Sequence, residues 1–227
     1  MVIRQRAIQA QDKQERHHAI LDAAARLLAR SPERIASVAE VAGEAGLAKG
    51  TVYLYFPGKE ELLLAVHERN VDKFFDPLTE MLARDAPVTI ADILALTRRH
   101  IVEPPLFLPL AARCFGMMAQ GMPAAAALAF KQRMGERLQK AGAGIERHFR
   151  DLKAGDGVAL LRHSYALIIG LWQMSPAAQV QHPGSPTAHL GARTVAFDYE
   201  YPAELDRALI ALWGGTVGGP VGRGAAR

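Results

Sequence analysis

The stretch Ser37–Leu62, SVAEVAGEAGLAKGTVYLYFPGKEEL, limits the fold more than any other part of the chain. Ser37 with Glu40 three residues on has the spacing of a capping box, in which each side chain bonds the other's backbone N–H at a helix start. Val38, Val41, Ala42 and Ala45 then fall on one face at helical spacing, and Gly46 can take the left-handed conformation that ends a helix. The next segment, TVYLYF, has the β-branched and aromatic composition of a strand. A lone short strand is not stable without partners, and the neighbouring sequence offers none. The segment therefore reads as a short helix, Ala48–Phe56. Val52 and Phe56 would be buried against Val38, Val41 and Leu47, leaving Gly50, Thr51, Tyr53 and Leu54 pointing outward. A helix of about eight residues, a glycine turn and a second short helix is helix-turn-helix spacing.

The rest of the chain is helical in pattern, so the predicted class is all-α. Ile20, Ala23, Ala24, Leu27 and Leu28 predict a helix over Asp12–Ala29, stopped by Ser31-Pro32. Leu62, Leu63, Val66, Val71, Phe74 and Phe75 predict a long helix over Lys59–Leu82. Further helices are predicted at Thr89–Val102, Leu106–Ala119, Ala124–Leu152, Asp156–Gln181 and Pro202–Trp213. They are separated by Pro104-Pro105, Gly121-Met122-Pro123 and Ala154-Gly155. The predicted organisation is a helix-turn-helix domain over 1–58, opening with a mobile arm over 1–11, and a helical domain over 59–213. A Gly-rich tail over 214–227 is expected to be disordered. The connection 182–201 is long for a helical domain and contains TVAFDYEY, strand-like but without a partner; it stays unassigned.

Of the 227 residues, 50% are hydrophobic, enough for a sizeable core. The net charge of +4 and pI near 9.4 suit an anionic partner without requiring one. One cysteine, Cys114, rules out an intramolecular disulfide and fits a reducing cytoplasm. The N-terminus lacks the apolar run of a signal peptide, and Tyr165–Trp172, the densest apolar run, is too short to cross a bilayer. These features predict a soluble cytoplasmic protein with no membrane partner.

The motif SVAEVAGEAGLAKGTVYLYFPGKEELLLAV, preceded by ILDAAARLLA, resembles the TetR family of transcriptional regulators over about residues 14 to 66. The resemblance implies a dimeric regulator that binds a palindromic double-stranded DNA operator. It places Ser37 at the cap that touches a phosphate, and Lys49, Gly50, Thr51, Tyr53 and Tyr55 where the third helix meets the major groove. Gly50 would let the backbones approach closely, Thr51 can contact phosphate or a thymine methyl, and tyrosine hydroxyls suit phosphate oxygens. Lys59 stands in the first turn of a helix, where a cation opposes the macrodipole, so an external anion such as a DNA phosphate is expected beside it. Ala48, Gly50 and Leu54 depart from common members and leave few groups for reading bases, which shifts weight to backbone and shape readout.

The resemblance further implies a small effector in the helical domain and a repressor that leaves its operator when an apolar or aromatic molecule binds. Phe107, Phe115, Met118, Met122, His163 and Trp172 are the candidate pocket residues, although Met and aromatic residues at helical spacing also suit an ordinary core. Cys114 reads as an oxidant sensor or as a small buried hydrophobe. Small residues Ala159, Ala166 and Gly170, with Leu205, Leu209 and Leu212 on the last helix, suggest a four-helix dimer interface. The chain has no phosphate-cradling GxxxxGK[ST], no GxSxG elbow and no His pair at zinc spacing, so no catalytic residue, metal or cofactor is expected. The alternatives are a DNA-binding regulator controlled by a protein partner and an all-helical enzyme with a structural helix-turn-helix.

Overall fold

The capping box forms as its spacing predicts. In the computed structural model the Glu40 N–H donates to Ser37 Oγ at 3.3 Å, and the Ser37 N–H donates to Glu40 Oε2 at 2.8 Å. This start opens α2 (Val38–Ala45), which Gly46 closes at φ 67°. The structure describes residues 2–31, 34–176, 178 and 198–217, with side chains from residue 11 onward except at 119 and 120. Among these residues every regular element is helical.

The helix ahead of the motif, α1, spans Val2–Arg30, so residues 2–11 are helix rather than the irregular arm predicted. That stretch holds Arg, Gln and Ala without Gly or Pro, and a helix nucleated on its amphipathic half propagates through such residues. After the turn, α3 (Lys49–Tyr55) is a short helix, with Ala48 and Phe56 as its flanking residues. It has no side-chain cap at its start; Val52 (0% exposed) and Phe56 anchor it in the core of α1 and α2.

The long helix α4 (Lys59–Leu82) joins the two halves. Its first turns carry Leu62, Leu63 and Val66 into the helix-turn-helix core. Later turns carry Val71, Phe74, Leu78 and Leu82 into a second core. The terminal Leu82 carbonyl accepts from Arg147 at 3.1 Å and lies 3.1 Å from His148 Nε2, which suits the negative end of the helix dipole.

Where one helix was predicted over Thr89–Val102, α5 (Ile90–Thr97) passes into a π-helical turn, Arg98–Val102. Thr89 and Asp92 make a second capping box, and the Thr97 hydroxyl donates back to the Ile93 carbonyl at 2.9 Å. The chain continues as α6 (Phe107–Gln120) and α7 (Ala124–His148), the latter ending before Leu152 because Phe149 leaves helical geometry.

Helix α8 (Asp156–Met174) crosses α7 at closest approach where Gly157 meets Gly142. A Cβ on Gly157 would run into the Gly142 carbonyl, and one on Gly142 would sit 2.8 Å from the Val158 backbone nitrogen. Glu146 on α7 accepts from the Gly155 and Gly157 N–H groups at 2.8 and 3.0 Å, satisfying donors at the start of α8. Ser175 is extended, so α8 stops short of the predicted Gln181; most of the predicted 182–201 connection lies outside the described residues.

The last helix, α9 (Tyr201–Val217), runs beyond Trp213, so Gly214–Val217 are helical rather than part of a disordered tail; residues 218–227 lie outside the described set. Leu212 and Val217 pack on the core, and the Thr216 hydroxyl donates to the Leu212 carbonyl at 2.8 Å. Leu205 and Leu209 are 1% exposed, so they fill the protomer's own core and do not form the apolar dimer edge predicted for them. Trp213 Nε1 donates to Ser164 Oγ at 2.9 Å and the Tyr201 hydroxyl to the Ile168 carbonyl at 3.0 Å, binding α9 to α8.

Candidate functional site

Helix α3 has too few residues to bury more than one side, and Val52 uses that side. Its other face is left to solvent. Lys49 and Gly50 are exposed, Thr51 and Tyr55 half-buried, Tyr53 44% exposed and Leu54 86% exposed. Among the described residues nothing covers Leu54, so its apolar side chain is not explained by packing. Lys49 Nζ lies 5.7 Å from the centre of the Tyr53 ring, a cation–π contact that holds the amine over the same face. A Cβ built on Gly50 meets nothing within 4 Å, so no packing among the described residues requires glycine at that position. Ser37 and Lys59 are exposed at the starts of α2 and α4. Lys59 Nζ lies 3.8 Å from Glu60 Oε1, and its side chain stays about half exposed to solvent.

Ion pairs tie this unit together at the surface. Glu44 on α2 accepts from Arg30 and from Arg26 at 2.8 Å, both on α1, and these hydrogen bonds, Arg30 first, hold its carboxyl down at about 2. Glu40 is likewise held at about 2, chiefly by Arg34 at 2.6 Å and then by its bonds to Ser37. Glu40 is exposed and Glu44 half-buried, and their arginine partners are open to solvent, so each pair adds little to stability. What they fix is the direction in which α2 presents Ser37.

Three consecutive residues of α4 face three different elements. His67 is 1% exposed and points into the interior, with the Phe107 ring 5.5 Å away and Phe130 at 6.2 Å. Burial lowers its pKa to about 4, against a smaller upward pull from Glu68, so the imidazole is neutral. Glu68 receives Arg133 of α7 in a two-pronged contact at 2.5 and 2.7 Å, and Arg137 at 3.0 Å. Burial raises the Glu68 carboxyl, but the two guanidinia outweigh it and leave a net downward shift. Arg69 reaches α1, donating to Asp22 at 2.5 Å and to the Leu21 carbonyl at 3.2 Å.

His67 borders an apolar cavity of about 300 Å³ between α4, α5, α6, α7, α8 and α9. Of the six candidate pocket residues, Phe107, Phe115 and Met118 line it. Met122 instead packs on the helix-turn-helix core, Trp172 is buried in the core around the cavity without lining it, and His163 is exposed on the outer face of α8. His163 fails because it follows Arg162 on the solvent side of a helix whose inward stripe is Leu160, Leu161, Ser164 and Ile168. Sequence reasoning omitted His67, Phe130 and Trp213, which also line the cavity. The signal for His67 was a titratable residue on the apolar stripe of α4, one position after Val66. Cys114 lines the cavity too, fully buried, and burial pushes its thiol up to about 12, which leaves no reactive thiolate. No single described helix is long and apolar enough to cross a membrane.

A helix-turn-helix carried on a long helix that also walls an interior apolar cavity defines a regulator of the helix-turn-helix class. The chain belongs to the tetR family of bacterial regulatory proteins: residues 20–66 match that family's N-terminal model, and residues 68–216 match the tetracyclin repressor-like C-terminal domain. It is similar to the Fatty acid metabolism regulator protein of Bacillus subtilis, 32% identical over 84 residues, which is 37% of this chain and 42% of that protein. It is also 36% identical over 76 residues to the uncharacterised HTH-type transcriptional regulator YuxN of the same organism, 33% of this chain and 26% of that protein. These matches span less than half of either relative's length. In fold it is similar to the fatty acid degradation regulator FadR of Bacillus halodurans, with a TM-score of 0.55 at 17% identity, covering 88% of this chain and 95% of that one. It also resembles SmeT, the repressor of a Stenotrophomonas maltophilia multidrug efflux pump, with a TM-score of 0.52 at 19% identity, covering 91% and 97%.

Proposed function

We propose that this protein is a dimeric transcriptional repressor that binds a palindromic operator through α3 and leaves it when a small apolar molecule enters the cavity behind His67. The observation that carries the reading is the unpartnered outer face of α3: Leu54 at 86% exposure, Tyr53 at 44%, and a glycine whose missing side chain leaves open space. Ser37, Lys49, Thr51, Tyr53, Tyr55 and Lys59 surround that face and supply hydroxyls and amines suited to phosphate oxygens. Double-stranded DNA in the cytoplasm is the partner, and no catalytic step is assigned.

The dimer is supported by Ala166, Met174 and Ile210, which are exposed on α8 and α9, the latter two at 46% and 55%. A twofold axis there would pair two α3 helices, as a palindromic operator requires. The effector reading is supported by the cavity and by the positions of Glu68 and Arg69. Displacement of α4 by a ligand at His67 would be felt at α7 through Glu68 and at α1 through Arg69. In an Arg69→Ala variant, operator affinity without effector should be retained, while the coupling between effector and operator, about 1–3 kcal/mol in such systems, should fall. A titration of operator with and without effector reads this directly, and undiminished coupling rejects Arg69 as the link.

Gly50→Ala tests the DNA face. Alanine is favoured over glycine in a helix by about 1 kcal/mol, and its methyl group has free space, so the variant should be the more stable protein. Its operator affinity should nevertheless drop, because the added methyl occupies the position of the approaching DNA backbone. Equal affinity in gel-shift titrations would place the DNA elsewhere.

A further inference from the structure

Among the residues that line the cavity, His67 combines near-complete burial with a side-chain atom, Nδ1, that has no hydrogen-bond partner among the described residues. The other ring nitrogen, Nε2, lies 3.5 Å from the hydroxyl of Tyr165, which also lines the cavity. The surrounding wall is apolar, with Phe107 and Phe130 against the imidazole and Trp213 and Ile168 further along. Buried polar atoms are almost always paired, so an exception facing a cavity calls for a partner of its own.

We infer that the missing partner belongs to the effector, and that the effector is an uncharged, mainly apolar molecule whose carbonyl or hydroxyl oxygen hydrogen-bonds Nδ1 of His67. This assignment rests on the reading of the cavity as the effector site. A neutral imidazole can donate or accept at Nδ1, so either oxygen satisfies it. An ionised group beside Nδ1 would be stripped of its water among aromatic walls, a cost that favours an uncharged ligand. The charged residues nearest in sequence or lining do not change that. Glu68 is committed to Arg133 and Arg137, and the lining cations Lys131 and Arg162 are exposed. At about 300 Å³ the cavity lies at the small end of the range for ligand pockets, which suits probes of eight-carbon length.

The full-length protein is titrated with octane, hexyl methyl ketone, octanol and octanoate, followed by tryptophan fluorescence, since Trp213 lines the cavity. One net hydrogen bond predicts that the ketone and octanol bind about tenfold more tightly than octane. In His67→Phe, which keeps a ring of similar size, octane should bind as before and the preference for the oxygenated probes should vanish. Equal affinity of octane and the ketone in the wild type, or an unchanged preference in His67→Phe, overturns the His67 assignment while leaving the cavity as an effector site. Failure of octane to bind at all overturns both. Octanoate binding most tightly overturns the uncharged ligand. Should His67→Phe not fold, nitrogen-15 histidine spectra of the wild type give the same decision. The His67 Nδ1 signal should shift with the ketone and not with octane, and an equal response to both rejects the proposal.

Discussion

Lowering the pH from 6.5 toward 4 should destabilise the wild-type protein at His67 by about 1.4 kcal/mol for each pH unit. The direction follows from proton binding. His67 is neutral in the fold, with its pKa lowered from 6.5 to about 4, chiefly by burial. Between these values the unfolded chain holds a proton that the folded chain does not, so stability rises with pH across the window and is lost as pH falls. Carried through to pH 4, the loss approaches about 3 kcal/mol, a large part of the 5–15 kcal/mol typical of a folded domain. His17 and His100 shift the same way, burial being the leading cause in each. Glu40 and Glu44, held at about 2, start to contribute only as pH falls below their ordinary 4.5. Comparing wild type with His67→Phe isolates the single group. Urea unfolding at pH 7, 6 and 5 should show the variant gaining on the wild type as pH falls. A constant difference across that range would mean that His67 accepts its proton in the folded state.

Gly157→Ala is expected to cost about 3 kcal/mol, at the upper end of overpacking effects. At this crossing backbone meets backbone: the new Cβ points into the Gly142 carbonyl, and a carbonyl cannot turn aside as a side chain end does. Relief requires α7 and α8 to separate, which would also pull Glu146 from the Gly155 and Gly157 N–H groups. Gly116→Ala in α6 is the matched control. Its Cβ meets nothing within 4 Å, so the helix preference for alanine should leave that variant equal or about 1 kcal/mol more stable. Thermal melts of the pair at one pH decide the matter, and similar melting of both variants would contradict the tight crossing.

Much of the helix-turn-helix was legible because its signals are local. Ser37 with Glu40, Gly46, and the Val52–Phe56 pair each act within a few residues, and no distant contact overrides them. The β-like composition of TVYLYF misleads only if read alone; tertiary burial of Val52 and Phe56 outweighs intrinsic propensity. The cavity was half legible. Phe107, Phe115 and Met118 were found as bulky apolar groups on α6, although Phe115 lines the cavity while 47% exposed. His67 and Trp213 were missed because the face a residue presents on a long helix depends on which neighbours pack there, and that is fixed by α5, α7 and α9 together. The same holds for Leu205 and Leu209, whose apolar edge suits a partner or the protomer's own core equally until the packing of α9 is known. The Gly142–Gly157 contact left no trace at all, since small residues in a helix pattern do not say what approaches them.

If α3 reads DNA, the protein protects a specific site. The direct measurement is a footprint on the DNA flanking the protein's own gene, at low salt and again as salt is raised. A protected palindrome whose two half-sites lie one helical turn or more apart, with affinity falling steeply as salt increases, is the expected result. Absence of protection on any palindrome at low salt, from protein shown to be folded, would contradict it.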